Sequence, residues 1–343
     1  MRIAIVNDMK MAVEILRRIV SSQSPRHEVA WVAYDGREAV EKCIKDTPDL
    51  ILMDLIMPVM DGAESTRRIM AAAPCGILVV TASVKGNSSK VFEAMSCGAL
   101  DAVNTPAIGT DGNMSGAEQL LRKINQLEIL CRNPASGTIH LKKTFTADPG
   151  ISSATPYLVA VGASTGGPAA LAKLVAELPA GFGAAMVIIQ HIDKEFSAGL
   201  ATWLSSFSKV KVNIAVAGES PVPNNIYLAE TNDHLTINSS LRFIYTEDPL
   251  ELPYRPSVDV FFESVYRNWP RNGSAVVLTG IGRDGAQGIL ALKKKGWRTM
   301  AQNKESCVVY GMPKAVAELG AADMILPPEM IGRELGKIRG NIT

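Results

Sequence analysis

Short apolar runs alternate with helical patterns along this chain, and they do so in two separate blocks. In the first block the runs fall at residues 3–6, 29–33, 50–53, 77–81 and 102–104, with helical periodicity between them, as at 11–20 and 36–45. In the second they fall at 157–162, 186–190, 213–215, 226–229, 274–280 and 298–301, interleaved with helical patterns at 168–177, 195–206, 257–268, 285–295 and 313–319. Runs this short, each followed by a helix, suit parallel strands whose crossovers cover both faces of a sheet. Residues 235–238 and 241–246, separated by Ser239-Ser240, read instead as a hairpin. The fold class is therefore α/β: two doubly wound, mostly parallel-sheet domains, the second with an antiparallel excursion.

The chain of 343 residues has room for about two such domains. Between the blocks, residues 126–156 begin by continuing a helical pattern from Ala117 through Leu130, then lose periodicity and become rich in Pro, Gly, Ser and Thr, as in Asp148-Pro149-Gly150-Ile151-Ser152-Ser153. The expected organisation is a domain over 1–125, a linker over 126–156 and a second domain over 157–343. A net charge of +1 gives no reason to expect a nucleic-acid partner. The N-terminus turns polar at Asn7-Asp8, too early for a signal peptide, and no apolar run approaches a spanning helix, so a cytoplasmic protein without membrane insertion is expected. Five scattered cysteines without a C-x-x-C pair read as reduced thiols.

In doubly wound sheets, chemistry belongs at the carboxyl ends of the strands. In the first block Asp8 follows the first strand, Asp54 follows the third and Thr81 ends the fourth. Two carboxylates converging at such an edge can hold Mg²⁺ through oxygen ligands, with a hydroxyl nearby to follow what the metal site binds.

The second block opens on Tyr157-Leu158-Val159-Ala160-Val161-Gly162-Ala163-Ser164-Thr165-Gly166-Gly167-Pro168, a buried strand, a tight turn and a helix start. Within it, Gly162 to Gly166 fit G-x-S-x-G, which holds a serine hydroxyl out beside free backbone N–H groups. Such a turn also suits a phosphate site or a plain turn. A serine nucleophile needs a base, and the base an orienting acid. Of four histidines, His191 alone ends a strand at the same edge. For the acid, Asp284 in Thr279-Gly280-Ile281-Gly282-Arg283-Asp284-Gly285 is preferred over Asp259, whose place in a first helical turn explains it without chemistry.

These motifs carry two resemblances. Leu52-Met53-Asp54-Leu55-Ile56-Met57-Pro58-Val59-Met60-Asp61-Gly62 resembles the phosphoacceptor segment of response-regulator receiver domains. That resemblance implies a flavodoxin-like strand order, a phosphoryl group accepted on Asp54 from a histidine kinase, Mg²⁺ held by Asp8, Asp54 and Ile56, and Thr81 as the switch hydroxyl. Asn7, where receivers usually have an acid, and Thr105, where they usually have lysine, depart from the pattern and imply weaker Mg²⁺ and phosphoryl binding.

Gly162 to Gly167, Gln190-His191, Arg255-Pro256-Ser257-Val258-Asp259 and Thr279 to Gly285, in that order, resemble the catalytic domain of chemotaxis-type protein-glutamate methylesterases, the CheB family. The resemblance implies hydrolysis of glutamate γ-methyl esters on the helices of methylated chemoreceptors by Ser164, His191 and Asp284, with Thr165 and Ile281 at the oxyanion and no cofactor for the esterase. Deamidation of receptor glutamines also occurs in such enzymes. Ile281 stands where the family usually has Met. Segments Val6-Asn7-Asp8-Met9 and Asp101 to Pro106 most resemble the WspF branch, which implies a surface-sensing pathway. Two other readings stay open: a serine esterase of another substrate, and a non-catalytic adaptor that binds the receptor.

Overall fold

The computed structural model describes residues 1–82, 84–108, 114–132, 155–252 and 254–338. The chain divides into two units, Met1–Ala135 and Ser136–Thr343.

The first unit alternates β1 (Arg2–Val6), α1 (Lys10–Ser21), β2 (Glu28–Ala33), α2 (Gly36–Lys45), β3 (Leu50–Met53), α3 (Gly62–Ala72), β4 (Gly76–Thr81), α4 (Val84–Ser96) and β5 (Asp101–Asn104). A short antiparallel pair, β6 (Ala107–Ile108) and β7 (Met114–Ser115), precedes α5 (Ala117–Arg132). The sheet is wholly parallel in the order β2-β1-β3-β4-β5. Every residue of β3 is buried, as expected of a central strand covered on both faces. Helix starts are set locally: the Asp35 carboxylate accepts the N–H groups of Arg37 and Glu38, and Asp61 that of Glu64. Helix α5 continues through Arg132, so the stretch expected to be linker begins as helix; residues 133–154 of that linker lie outside the described residues.

The second unit runs β8 (Tyr157–Ala163), α6 (Gly167–Ala176), β9 (Ala184–Gln190), α7 (Lys194–Ser205), β10 (Lys211–Ile214), β11 (Asn225–Leu228), β12 (His234–Ile237), β13 (Phe243–Thr246), α8 (Val258–Asn268), β14 (Ser274–Val277), α9 (Ala286–Lys294), β15 (Arg298–Gln302), α10 (Met312–Glu318), β16 (Met324–Leu326) and α11 (Pro328–Gly336). Seven strands form one parallel sheet in the order β10-β11-β9-β8-β14-β15-β16. The hairpin β12–β13 stands apart as its own antiparallel pair. It is tied to α8 by the Ser264 hydroxyl accepting from Ile237 N–H at 3.0 Å and by the Asn268 amide donating to Ile237 O at 2.7 Å.

Phe261, Phe262, Trp269 and Trp297 are fully buried in the core between this sheet and its helices. Each such side chain contributes about 1.5–3 kcal/mol of burial, which fixes α8 against the sheet. Chain order reverses around β8: β9 lies on one side and β14 on the other. The crevice at the carboxyl ends of β9, β8 and β14 is thus the place where such a sheet binds ligands. Among the described residues, no helix is long and apolar enough to cross a membrane.

Candidate functional site

Ser164 follows the last residue of β8, and His191 follows the last residue of β9. The Gln190 amide links them: its Nε2 donates to the carbonyls of both Ser164, at 2.8 Å, and His191, at 3.2 Å. The Ser164 N–H is spent on Thr279 O at 3.0 Å, which draws the turn after β14 against the nucleophile turn. Close approach there needs glycine at 280, where a Cβ would lie 2.5 Å from Ser164 Cβ and 2.3 Å from Met312 Sδ. Gly166, at φ 76°, supplies the left-handed residue that starts α6.

Asp284 closes the group. Its carboxylate accepts five hydrogen bonds: His191 Nε2 at 2.8 Å, Ser257 Oγ at 2.9 Å, and the N–H groups of Val258 (2.7 Å), Asp259 (2.9 Å) and Gly285 (3.0 Å). The N-terminus of α8 therefore points at Asp284, a favourable place for a negative charge. Burial opposes that charge, but the hydrogen bond and charge of His191 and the N–H donors hold the carboxyl below its ordinary value. Because a carboxylate only accepts, Nε2 carries the proton in neutral His191 and Nδ1 has the free lone pair. Nδ1 is buried and has no partner among the described residues. It is the ring nitrogen left to serve a serine.

The rival acid, Asp259, lies beside Asp284 but is bonded by the start of α9, and among the described residues no hydrogen bond joins it to His191. Its Oδ1 accepts the Gly288 N–H of α9 at 2.7 Å, and burial, with the neighbouring charge of Asp284, pushes its carboxyl up to about 7. The amide N–H groups of Thr165 and Ile281 donate to nothing among the described residues, which leaves both for an anion. Sequence reading missed Tyr254, whose ring stacks on His191 with centroids 4.3 Å apart and planes 7° apart. It sits in an aperiodic segment, where no pattern marks it. His234 is fully buried, accepting from Ser257 N–H on Nδ1 at 3.1 Å with Nε2 3.2 Å from Pro249 O, so it braces the start of α8.

In the first unit, Asp54 follows β3, Thr81 ends β4, and Asp8 follows β1 by two residues. One Asp54 oxygen accepts Leu55 N–H at 2.7 Å and the other accepts the Asn7 amide N–H at 3.0 Å. Burial first, with Asp8's negative charge adding to it, pushes the Asp54 carboxyl up to about 6. Two carboxylates that repel each other are donors suited to a hard cation such as Mg²⁺. Asn7 offers Asp54 a donor, and its own oxygen is taken by Met9 N–H at 2.9 Å, so it adds no ligand in this arrangement. Thr105 contributes a backbone N–H to Thr81 O at 2.9 Å and no cation.

The raised Asp54 value has a consequence for stability. The folded receiver holds this proton more tightly than the unfolded chain between pH 4 and 6, so its stability falls as pH rises through that window. The receiver's unfolding transition, followed by calorimetry without Mg²⁺, is expected to lose stability across this window, by less than the full linkage value because Asp54 is partly exposed to solvent. The loss should shrink with Mg²⁺ and vanish in Asp54→Ala; a slope unchanged in that variant would rule Asp54 out as its source.

Fold and sites together define a class: a receiver-type α/β domain followed by a parallel α/β domain with a serine, a histidine and an aspartate at neighbouring strand ends. Residues 3–109 match the response regulator receiver domain family, and residues 159–335 match the CheB methylesterase family. The chain belongs to the CheB methylesterase family. It is 49% identical over 339 residues to a Pseudomonas aeruginosa protein named protein-glutamate methylesterase/protein-glutamine glutaminase 3, covering 98% of this chain and 99% of that one. A Pseudomonas putida relative, named as the same enzyme of the group 3 operon, is 50% identical over 338 residues, with 98% of each chain covered. The crystal structure of the Thermotoga maritima CheB methylesterase catalytic domain superposes with a TM-score of 0.52 at 35% identity, covering 53% of this chain and 98% of that one.

Proposed function

We propose that this protein is a receiver-regulated esterase that hydrolyses glutamate γ-methyl esters on the cytoplasmic helices of chemoreceptors, releasing methanol. The observation that carries the reading is Asp284, which comes from a third strand end to bond His191 beside the nucleophile turn. Ser164 attacks the ester carbonyl, and its proton passes to His191 Nδ1 while Asp284 holds Nε2–H and stabilises the imidazolium. The oxyanion meets the N–H groups of Thr165 and Ile281, each worth roughly 3–4 kcal/mol if lost. His191 returns the proton to the leaving methoxide, then takes one from the water that splits the acyl-serine, freeing a glutamate carboxylate. A receptor glutamine passes through the same steps with ammonia as the leaving group, in keeping with the relatives' names.

In the receiver, Asp54 accepts a phosphoryl group from the histidine kinase of the same chemosensory array, with Thr81 as the switch hydroxyl. Asp8, Asp54 and the Ile56 carbonyl would hold Mg²⁺, which when bound supplies charge neutralisation for the incoming phosphoryl group. A WspF-like, surface-sensing setting is the finer placement, supported by Asn7 and Thr105 in the receiver.

Methanol release from a methylated cognate receptor tests the function directly. Ser164→Ala is expected to abolish it almost completely, by about 10⁴-fold or more, while leaving the unfolding temperature near the parent's. Hydrolysis of generic esters without preference for the receptor would point to another substrate. Unaltered receptor signalling by Ser164→Ala would point to an adaptor.

A further inference from the structure

We propose that Tyr254 is a positioning residue for the base, its ring fixing the plane of the His191 imidazole and stabilising the charge the imidazole gains on taking the Ser164 proton. The inference rests on the reading that His191 is the base for Ser164.

A single hydrogen bond from Nε2 to Asp284, at 2.8 Å, anchors one atom of the imidazole but leaves the ring free to tilt about that bond. A flat contact removes that freedom. The Tyr254 ring lies 4.3 Å from the imidazole with the planes only 7° apart. This parallel arrangement covers one face and leaves the ring edge, where the buried Nδ1 has no partner among the described residues, uncovered by the phenol ring. An edge-on contact would not. The face of a phenol ring also carries negative potential, so a cation forming against it is stabilised, more so where water is excluded. The His191 side chain is 8% exposed, so the imidazolium has little water to replace that contact.

Tyr254 also stands three residues before Ser257, whose hydroxyl, with the N–H groups of Val258 and Asp259, holds Asp284. One short segment therefore supplies both the face of the base and the donors to its acid. The hydroxyl end of Tyr254 reaches the turn after β14, where a Cβ on Gly282 would sit 3.7 Å from Tyr254 Oη. Hence the phenol group offers two separable contributions, ring and hydroxyl.

The test compares Tyr254→Leu and Tyr254→Phe in the full chain by steady-state methanol release from methylated receptor. Tyr254→Leu is expected to lower kcat about 3- to 30-fold with KM little changed, and Tyr254→Phe to keep the parent's kcat. Tyr254→Met, similar in bulk without a ring face, gives the same comparison should the leucine variant not fold. An unchanged kcat in Tyr254→Leu overturns the inference while leaving the esterase reading intact. So does a raised KM with kcat held, which would place Tyr254 against the receptor, or a loss in Tyr254→Phe equal to that in Tyr254→Leu, which would credit the hydroxyl. A parent protein that releases no methanol removes the esterase reading and this inference together.

Discussion

Asp284→Asn is expected to lower kcat for ester hydrolysis by roughly 10⁴-fold, as loss of the orienting acid does in other serine hydrolases. The reason lies in the donor set around that carboxylate. Five hydrogens point at its two oxygens, from His191, Ser257, Val258, Asp259 and Gly285. An asparagine offers one oxygen and turns an N–H₂ group toward donors, so either His191 or the start of α8 loses its partner. Asp259→Asn should behave in the opposite way. Its carboxyl, pushed up to about 7 by burial and the charge of Asp284, is only partly ionised near neutral pH, and the asparagine keeps an oxygen for Gly288 N–H. Activity should stay near the parent's.

The two variants should also differ in stability. The folded protein binds the Asp259 proton more tightly than the unfolded chain between pH 4 and 7, so ionising it costs stability as pH rises through that window. Asp259→Asn removes this cost. Its catalytic-domain melting temperature should exceed the parent's at pH 8 and converge with it at pH 4. Steady-state methanol release and calorimetry read both effects. Equal damage by Asp259→Asn and Asp284→Asn would sink the assignment of the acid.

The second large effect concerns phosphoryl capture. Introducing Asn7→Asp and Thr105→Lys together is expected to lower the Mg²⁺ concentration for half-maximal phosphorylation by about tenfold or more, since each adds a charge-assisted contact worth roughly 1.5–3 kcal/mol. Asn7 donates to Asp54 at 3.0 Å and is 2% exposed, so it satisfies one oxygen of that carboxylate. An aspartate there would add a third negative charge beside Asp8 and Asp54. Without Mg²⁺ the Asn7→Asp receiver should therefore melt below the parent, and with Mg²⁺ the order should reverse. Kinase and labelled ATP supply the readout. No Asp54-dependent label on the parent at millimolar Mg²⁺ would make the receiver a scaffold instead of a phosphoacceptor.

Much of the fold was legible because parallel strands buried on both faces must be short, apolar and separated by helices. The serine turn announced itself through local requirements of strand, turn and helix start, whereas the strand order around β8 was not read from the sequence. The last strand and helix did not. Met324–Leu326 is only three residues long and lies at the edge of the sheet, and α11 begins at a proline after it, so neither carries a full period. Tyr254 was silent for another reason: its contact with His191 joins positions 63 residues apart in number, and nothing local requires an aromatic ring there.

By itself, the sequence determined two parallel α/β domains and the strand ends where chemistry collects. It also supplied the residue types for both sites, because backbone periodicity and turn chemistry are local properties. The preference for Asp284 over Asp259 came from the sequence; the tertiary structure adds that the α8 N–H groups and His191 converge upon Asp284, an orientation no local pattern shows. It likewise shows Nε2 of His191 bonded to Asp284, Nδ1 without a partner among the described residues, and Asn7 facing Asp54 with a donor. Each of these is a matter of orientation between side chains far apart in the chain, fixed when α8 and its neighbours pack on the sheet.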